Sequence, residues 1–198
     1  MFNYADGSVW GVNDALEDTS LEAVMRIYGP DSQLIDTRTK TCPLAFREPF
    51  KVFSGIKGPC FVSLELRDDA GAKVADNFYC IPEKNNVYDW EHPDWYVTRI
   101  TEYSDLGFVS ALPQANVSMS VESTGDGLQV TVSNESDVIA YQNILKAFGP
   151  DGRLVPAALW SDNFFSLLPG ESRTLSCRTP EGSGEVTVKL DGWNLADQ

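Results

Sequence analysis

The chain has 198 residues, with 15 Lys or Arg against 29 Asp or Glu and a formal charge of −14. That length holds one large or two small domains and excludes a (β/α)8 barrel with anything attached. The acidic balance excludes a sequence-independent hold on nucleic acid or on an anionic membrane surface, and no apolar stretch is long enough to span a bilayer.

Hydrophobic residues make up 42% of the chain and aromatics 11%, enough for a real core. The opening residues, Met1 to Gly7, have neither a basic nor an apolar segment and do not read as a secretory signal. Turn pairs then follow at Asp6-Gly7, Gly29-Pro30, Gly58-Pro59, Asp126-Gly127, Asp151-Gly152, Pro169-Gly170 and Asp191-Gly192. Leu21, Val24, Met25 and Tyr28 repeat at helical spacing, and Tyr141, Ile144, Leu145 and Phe148 do the same. Each run is only about nine residues long, so periodicity leaves helix and buried strand tied. Elsewhere the period is two: Val117, Met119 and Val121, then Leu128, Val130 and Val132, then Val186, Val188 and Leu190 each alternate with polar residues. Half-buried strands read this way, and many short ones joined by turns predict a sandwich or barrel.

Aligned at an offset of 120 residues, Val12 matches Val132, Gly29-Pro30-Asp31 matches Gly149-Pro150-Asp151, and Leu34-Ile35 matches Leu154-Val155. Such a repeat predicts two copies of one unit. Composition places the join at residues 87–114, which hold Tyr88, Trp90, Trp95, Tyr96, Tyr103 and Phe108 with one Arg against five acids. Flexible linkers are rich in Gly, Ser or Pro, so an aromatic one is expected to lie packed against something. The predicted architecture is all-β: an immunoglobulin-like sandwich over 1–86, a packed aromatic connector over 87–114, and a second sandwich over 115–198.

Catalytic groups are hard to find. His92, the one imidazole, lies in Trp-Glu-His-Pro-Asp-Trp with no nucleophile elbow nearby, and a single His cannot complete a zinc site. Asn134-Glu135 resembles the dipeptide that ends a barrel strand in retaining glycosidases, but it stands in a polar turn with no barrel around it. Cys42, Cys60, Cys80 and Cys177 follow no metal-ligand spacing and read as buried thiols or at most one bridge. No catalytic residue, metal site or cofactor is therefore assigned. Tyr88, Trp90, Trp95 and Tyr96 are candidate contacts, either for sugar rings stacked on their faces or for a neighbouring domain. Two Asn-x-Ser sequons, at Asn116 and Asn134, matter only where the source glycosylates.

The C-terminal run Leu159-Trp160-Ser161-Asp162-Asn163-Phe164-Phe165-Ser166-Leu167-Leu168-Pro169-Gly170-Glu171-Ser172, with Gly192-Trp193-Asn194 beyond it, resembles the last immunoglobulin-like domain of glycoside hydrolase family 2. The likeness is to exo-β-glucosaminidases and β-mannosidases. Leu64-Glu65-Leu66-Arg67-Asp68 and Asn77-Phe78-Tyr79 resemble the end of the preceding sandwich in those enzymes. Asp89-Trp90, Trp95-Tyr96 and Thr101-Glu102-Tyr103-Ser104-Asp105-Leu106 resemble their connector, and Cys80 departs from the family, where an aromatic often follows Asn-Phe-Tyr. The resemblance implies all-β domains, so residues 21–28 and 141–148 are expected to be strands. It also implies that the catalytic glutamates stand on a barrel upstream, which would be the main partner, with oligosaccharide a second. The compartment stays open: periplasmic or extracellular only if the parent enzyme is exported. A free-standing immunoglobulin-like interaction protein is the remaining alternative.

Overall fold

The computed structural model describes residues 1–196, which divide into two compact units, Met1–Leu112 and Pro113 onward. Both are built of β-strands. In the first, β1 (Phe2–Asn3), β2 (Ser8–Gly11), β3 (Thr19–Tyr28), β4 (Leu34–Leu44), β5 (Phe50–Phe53), β6 (Cys60–Arg67) and β7 (Lys73–Ile81) form two sheets, ordered β1-β2-β5 and β4-β3-β6-β7. Two short strands, β8 (Val87–Tyr88) and β9 (Ile100–Glu102), pair with each other, and a single 3-10 turn covers Gly107–Ala111. The core between the sheets gathers Val9, Met25, Ile27, Cys42, Leu44, Val62 and Leu64.

In the second unit, β10 (Val117–Thr124), β11 (Gly127–Asn134), β12 (Ala140–Phe148), β13 (Leu159–Trp160), β14 (Phe165–Leu167), β15 (Ser172–Arg178) and β16 (Thr187–Asp191) form sheets ordered β10-β11-β15-β13 and β14-β12-β16. Val130, Val132, Leu145, Leu167 and Leu175 fill the space between them. The alternating runs of the sequence are β10, β11 and β16; Val117, Val130, Val132 and Val188 are buried, Met119, Leu128 and Leu190 half-buried, and Val121 stays exposed in the outer half of β10. The turn at Pro169-Gly170 has φ +69° at the glycine, and the Glu171 N–H donates to Leu168 O at 3.0 Å, delivering the chain into β15.

Both segments with helical spacing are strands. β3 runs between β4 and β6, and its buried residues Ala23, Val24, Met25, Ile27 and Tyr28 lie on both faces. A strand covered on two sides has no reason to alternate, so its pattern drifts toward a helix's. β12 arrives at the same spacing differently. Gln142 adopts φ +56° where the ladder to β14 shifts register between Ala140 and Asn143, so one extra residue breaks the period of two.

The repeat is real at the level of hydrogen bonds. β3 and β12 both end in Gly-Pro-Asp, and the Gly29 and Gly149 N–H groups donate to Gln33 O and Arg153 O, each at 2.9 Å. Asp31 Oδ1 and Asp151 Oδ1 accept the Gln33 and Arg153 N–H groups, each at 3.1 Å. The left-handed position of the turn is Ser32 in one unit, at φ +66°, and Gly152 in the other, at φ +73°.

A second pair of equivalents escaped the sequence reading. Asn13 Nδ2 donates to Glu17 O and its Oδ1 accepts the Ala15 N–H; Asn134 Nδ2 donates to Val138 O and its Oδ1 accepts the Ser136 N–H. Each amide is buried and closes the turn that leads into the next strand. The offset is one residue longer than elsewhere in the repeat, which hid the match.

Candidate functional site

Residues 87–112 belong with the first unit. Two features tie them down. Phe108 packs against the fully buried Phe61 at 5.5 Å between ring centroids, with Val109 of the 3-10 turn buried beside it in sequence. Ser104 N–H donates to Asn86 Oδ1 at 2.7 Å, and the ladder of Val87 with Glu102 and Tyr88 with Ile100 closes the base of a long excursion.

Within that excursion the rings stand in the open. Trp90 is 72% exposed, Trp95 89% and Tyr96 75%, with Tyr88 at the 40% level. The packing expected for an aromatic connector is therefore not supplied by this chain around these four rings. The physical reason is local: Asp89 N–H reaches Arg99 O and Asp94 N–H reaches Val97 O, so backbone turns satisfy the loop without turning its side chains inward. The rings meet each other instead. Tyr88 and Trp90 lie 5.6 Å apart at 41°, and Trp95 and Tyr96 lie 5.2 Å apart, edge to face. The two pairs are distinct contacts, so the four residues do not form one flat platform.

Tyr88 and Trp90 border a surface cavity of about 550 Å³ whose walls include Tyr4, Cys80, Asn85 and Asn86. Asn85 Nδ2 donates to Tyr4 O, which holds the N-terminal loop as its far wall. Burial raises the Tyr4 phenol above its ordinary range, with smaller contributions from Cys80 and Tyr79. Carboxylates dominate the excursion: Asp89, Glu91, Asp94 and Glu102 stand against the lone Arg99. Stacking surface, amide donors and negative charge suit a polyhydroxylated or cationic ligand, or a complementary protein face.

His92 serves the turn. Asp89 Oδ1 accepts its backbone N–H at 3.1 Å and lies 3.1 Å from its Nδ1, while the ring points to solvent. Asn134-Glu135 is likewise structural. Asn134 Nδ2 donates to Val138 O, Leu167 O and Leu168 O, and the exposed Glu135 accepts from Ser118 Oγ at 2.7 Å. None of the four cysteines forms a disulfide; burial raises Cys60 to about 11 and pushes Cys42 and Cys177 up as well. No group of three or more metal-ligating side chains comes together among the described residues.

Glu65 is the buried carboxylate of the first unit. Arg67 Nε donates to it at 2.9 Å, and Arg26 Nη1 stands 3.2 Å away. Burial alone would raise its pKa, but the bonds from Arg67 and the charge of Arg26 outweigh it and hold the carboxyl below its ordinary range. Held ionised at neutral pH and paired twice, Glu65 links β6 to β3 through Arg26.

Two units of paired sheets, each carrying the same Gly-Pro-Asp turn, make this an all-β protein of immunoglobulin-like type. Residues 95–195, half of the chain, match the family model of the exo-β-D-glucosaminidase Ig-fold domain, and the chain belongs to that family. It is 34% identical to an exo-β-D-glucosaminidase of Streptomyces avermitilis over 73% of its length, and 29% identical to one of Arthroderma benhamiae over 98%. It spans only 17% and 23% of those two relatives. Among solved structures, the exo-chitosanase CsxA of Amycolatopsis orientalis superposes with a TM-score of 0.88 and 25% identity, covering all of this chain and a quarter of that one. A β-D-mannosidase from Dictyoglomus thermophilum, at 20% identity and a TM-score of 0.54, shares the fold alone.

Proposed function

We propose that this chain is the accessory β-sandwich portion of an enzyme that hydrolyses β-linked glucosaminides, its two units standing as tandem immunoglobulin-like domains divided along the chain near residue 112. The observation that carries this reading is the full-length likeness to one quarter of the A. orientalis enzyme, together with the family match over residues 95–195. Chemistry then belongs to the remaining part of the protein, and the role of these units is to support it. The exposed rings of Trp90, Trp95 and Tyr96 favour a covered face over a free one, because several large exposed aromatics on one excursion mark a binding surface. The catalytic portion of the same protein is the occupant this reading assigns to that face.

The test is an assay with p-nitrophenyl-β-D-glucosamine. The whole protein that contains this chain is expected to release p-nitrophenol, and the chain alone is expected to release none. A whole protein inactive on this glycoside, or an active isolated chain, overturns the reading. Hydrogen exchange over residues 87–103 adds a second readout, since protection in the whole protein and none in the chain alone is what a covered face requires. A second reading follows from the cavity beside Tyr88 and Trp90, which would admit a sugar residue. It predicts that glucosamine oligosaccharides bind the chain alone in calorimetry and that W90A abolishes the heat.

A further inference from the structure

The two Asn-x-Ser sequons lie side by side on one ladder of the second unit, and their surroundings are opposite. Val117 pairs with Asn134 across β10 and β11, and both side chains are buried. Alternation along a strand turns the residues either side of Val117 outward, and Asn116 and Ser118 are both exposed. Backbone and side-chain bonds lock this arrangement. Glu135 N–H donates to Asn116 O at 2.9 Å, Asn116 N–H donates to Ser136 Oγ at 3.3 Å, and Ser118 Oγ donates to Glu135 Oε1 at 2.7 Å. None of these uses the Asn116 side-chain amide.

At Asn134 the same atom is committed. Its Nδ2 donates to three carbonyls at 2.7, 3.2 and 3.1 Å, and the residue is 2% exposed. A sugar on that nitrogen would replace one N–H, strand at least one buried carbonyl and require space the core does not have.

We propose that Asn116 is the N-glycan acceptor of this chain and that Asn134, despite its sequon, is not one in the folded protein. The donor is a lipid-linked oligosaccharide pyrophosphate. Its C1–O bond to the pyrophosphate breaks as a C1–N bond forms to Asn116 Nδ2; the lipid pyrophosphate leaves and the amide nitrogen gives up one proton. A chain glycosylated at Asn134 before folding cannot bury that residue, so the modification is absent from folded material. The placement has a consequence for assembly. β10 is the edge of its sheet, and a glycan at its first turn covers backbone groups that would otherwise be open to pairing with another strand.

The experiment is secretion of the full chain from a glycosylating eukaryotic host, followed by peptide mass mapping of the folded, secreted fraction before and after peptide N-glycosidase. A glycan on the Asn116 peptide and an unmodified Asn134 peptide are expected. S118A removes the first sequon at an exposed site and is expected to abolish the enzyme-sensitive mass shift while the melting curve stays within a degree or two. A glycan on Asn134 in folded protein, a bare Asn116, or a mass shift that survives S118A would each overturn the proposal.

Discussion

At the scale of single residues, buried polar groups carry more of the structure than the sequence advertises. Glu65 shows how. Its folded pKa is depressed, so the stability it contributes is present above the ordinary carboxylate value of 4.5 and is lost as pH falls through the lower folded value. E65Q keeps the shape and removes the charge, leaving Arg26 and Arg67 without their partner. It is expected to lose about 2 kcal/mol at pH 7, read by urea unfolding, and to differ less from the parent as pH drops below 4. An equal difference at both pH values would show that the carboxylate charge is not what matters. Asn134 makes a related point from the other side. The sequence places it in a polar turn, and its three carbonyl partners show how a buried amide closes that turn. Amides of this kind leave no periodic trace, because their partners lie 4 to 34 residues away.

Strands and turns are where the sequence was most legible. Runs of period two became β10, β11 and β16, and the repeated Gly-Pro-Asp ended β3 and β12 with matching hydrogen bonds. Legibility failed where a strand is covered on both faces, as in β3, or carries a bulge, as at Gln142 of β12. Both break the one-residue alternation that tells a strand from a helix. The paired turns also give a clean comparison. Gly152 sits at φ +73° with open space where a Cβ would stand, so G152A pays only for the left-handed backbone. A loss of about 1 kcal/mol is expected in chemical denaturation. No loss at all would mean that the turn relaxes to another form when the glycine is removed.

For the molecule as a whole, the balance of charge and aromatic exposure can be measured directly. The net charge is −14, and Trp90, Trp95 and Trp193 are each more than half exposed. With each ion scaled to its quenching of free N-acetyltryptophanamide, caesium is therefore expected to quench the protein's tryptophan fluorescence more effectively than iodide, with the gap closing as salt is added. Equal quenching at low salt would show that those rings are covered or that their acidic neighbours do not set the local potential. The result bears on the face assigned to a partner, since the same quenching in the whole protein should fall as Trp90 and Trp95 become shielded.

What the sequence by itself determined is the class: strand periodicity, turn chemistry and the repeat are local or nearly local properties, and they specify all-β units of related design. The family resemblance, resting on the run from Leu159 to Ser172, was equally legible. Tertiary structure alone decided which side of each ladder faces inward. That choice buries Asn134 at the end of β11 and turns Ser118 of β10 outward, because a side chain's fate in a sheet follows from what covers its face; Trp95 stands exposed in the loop between β8 and β9, outside any sheet.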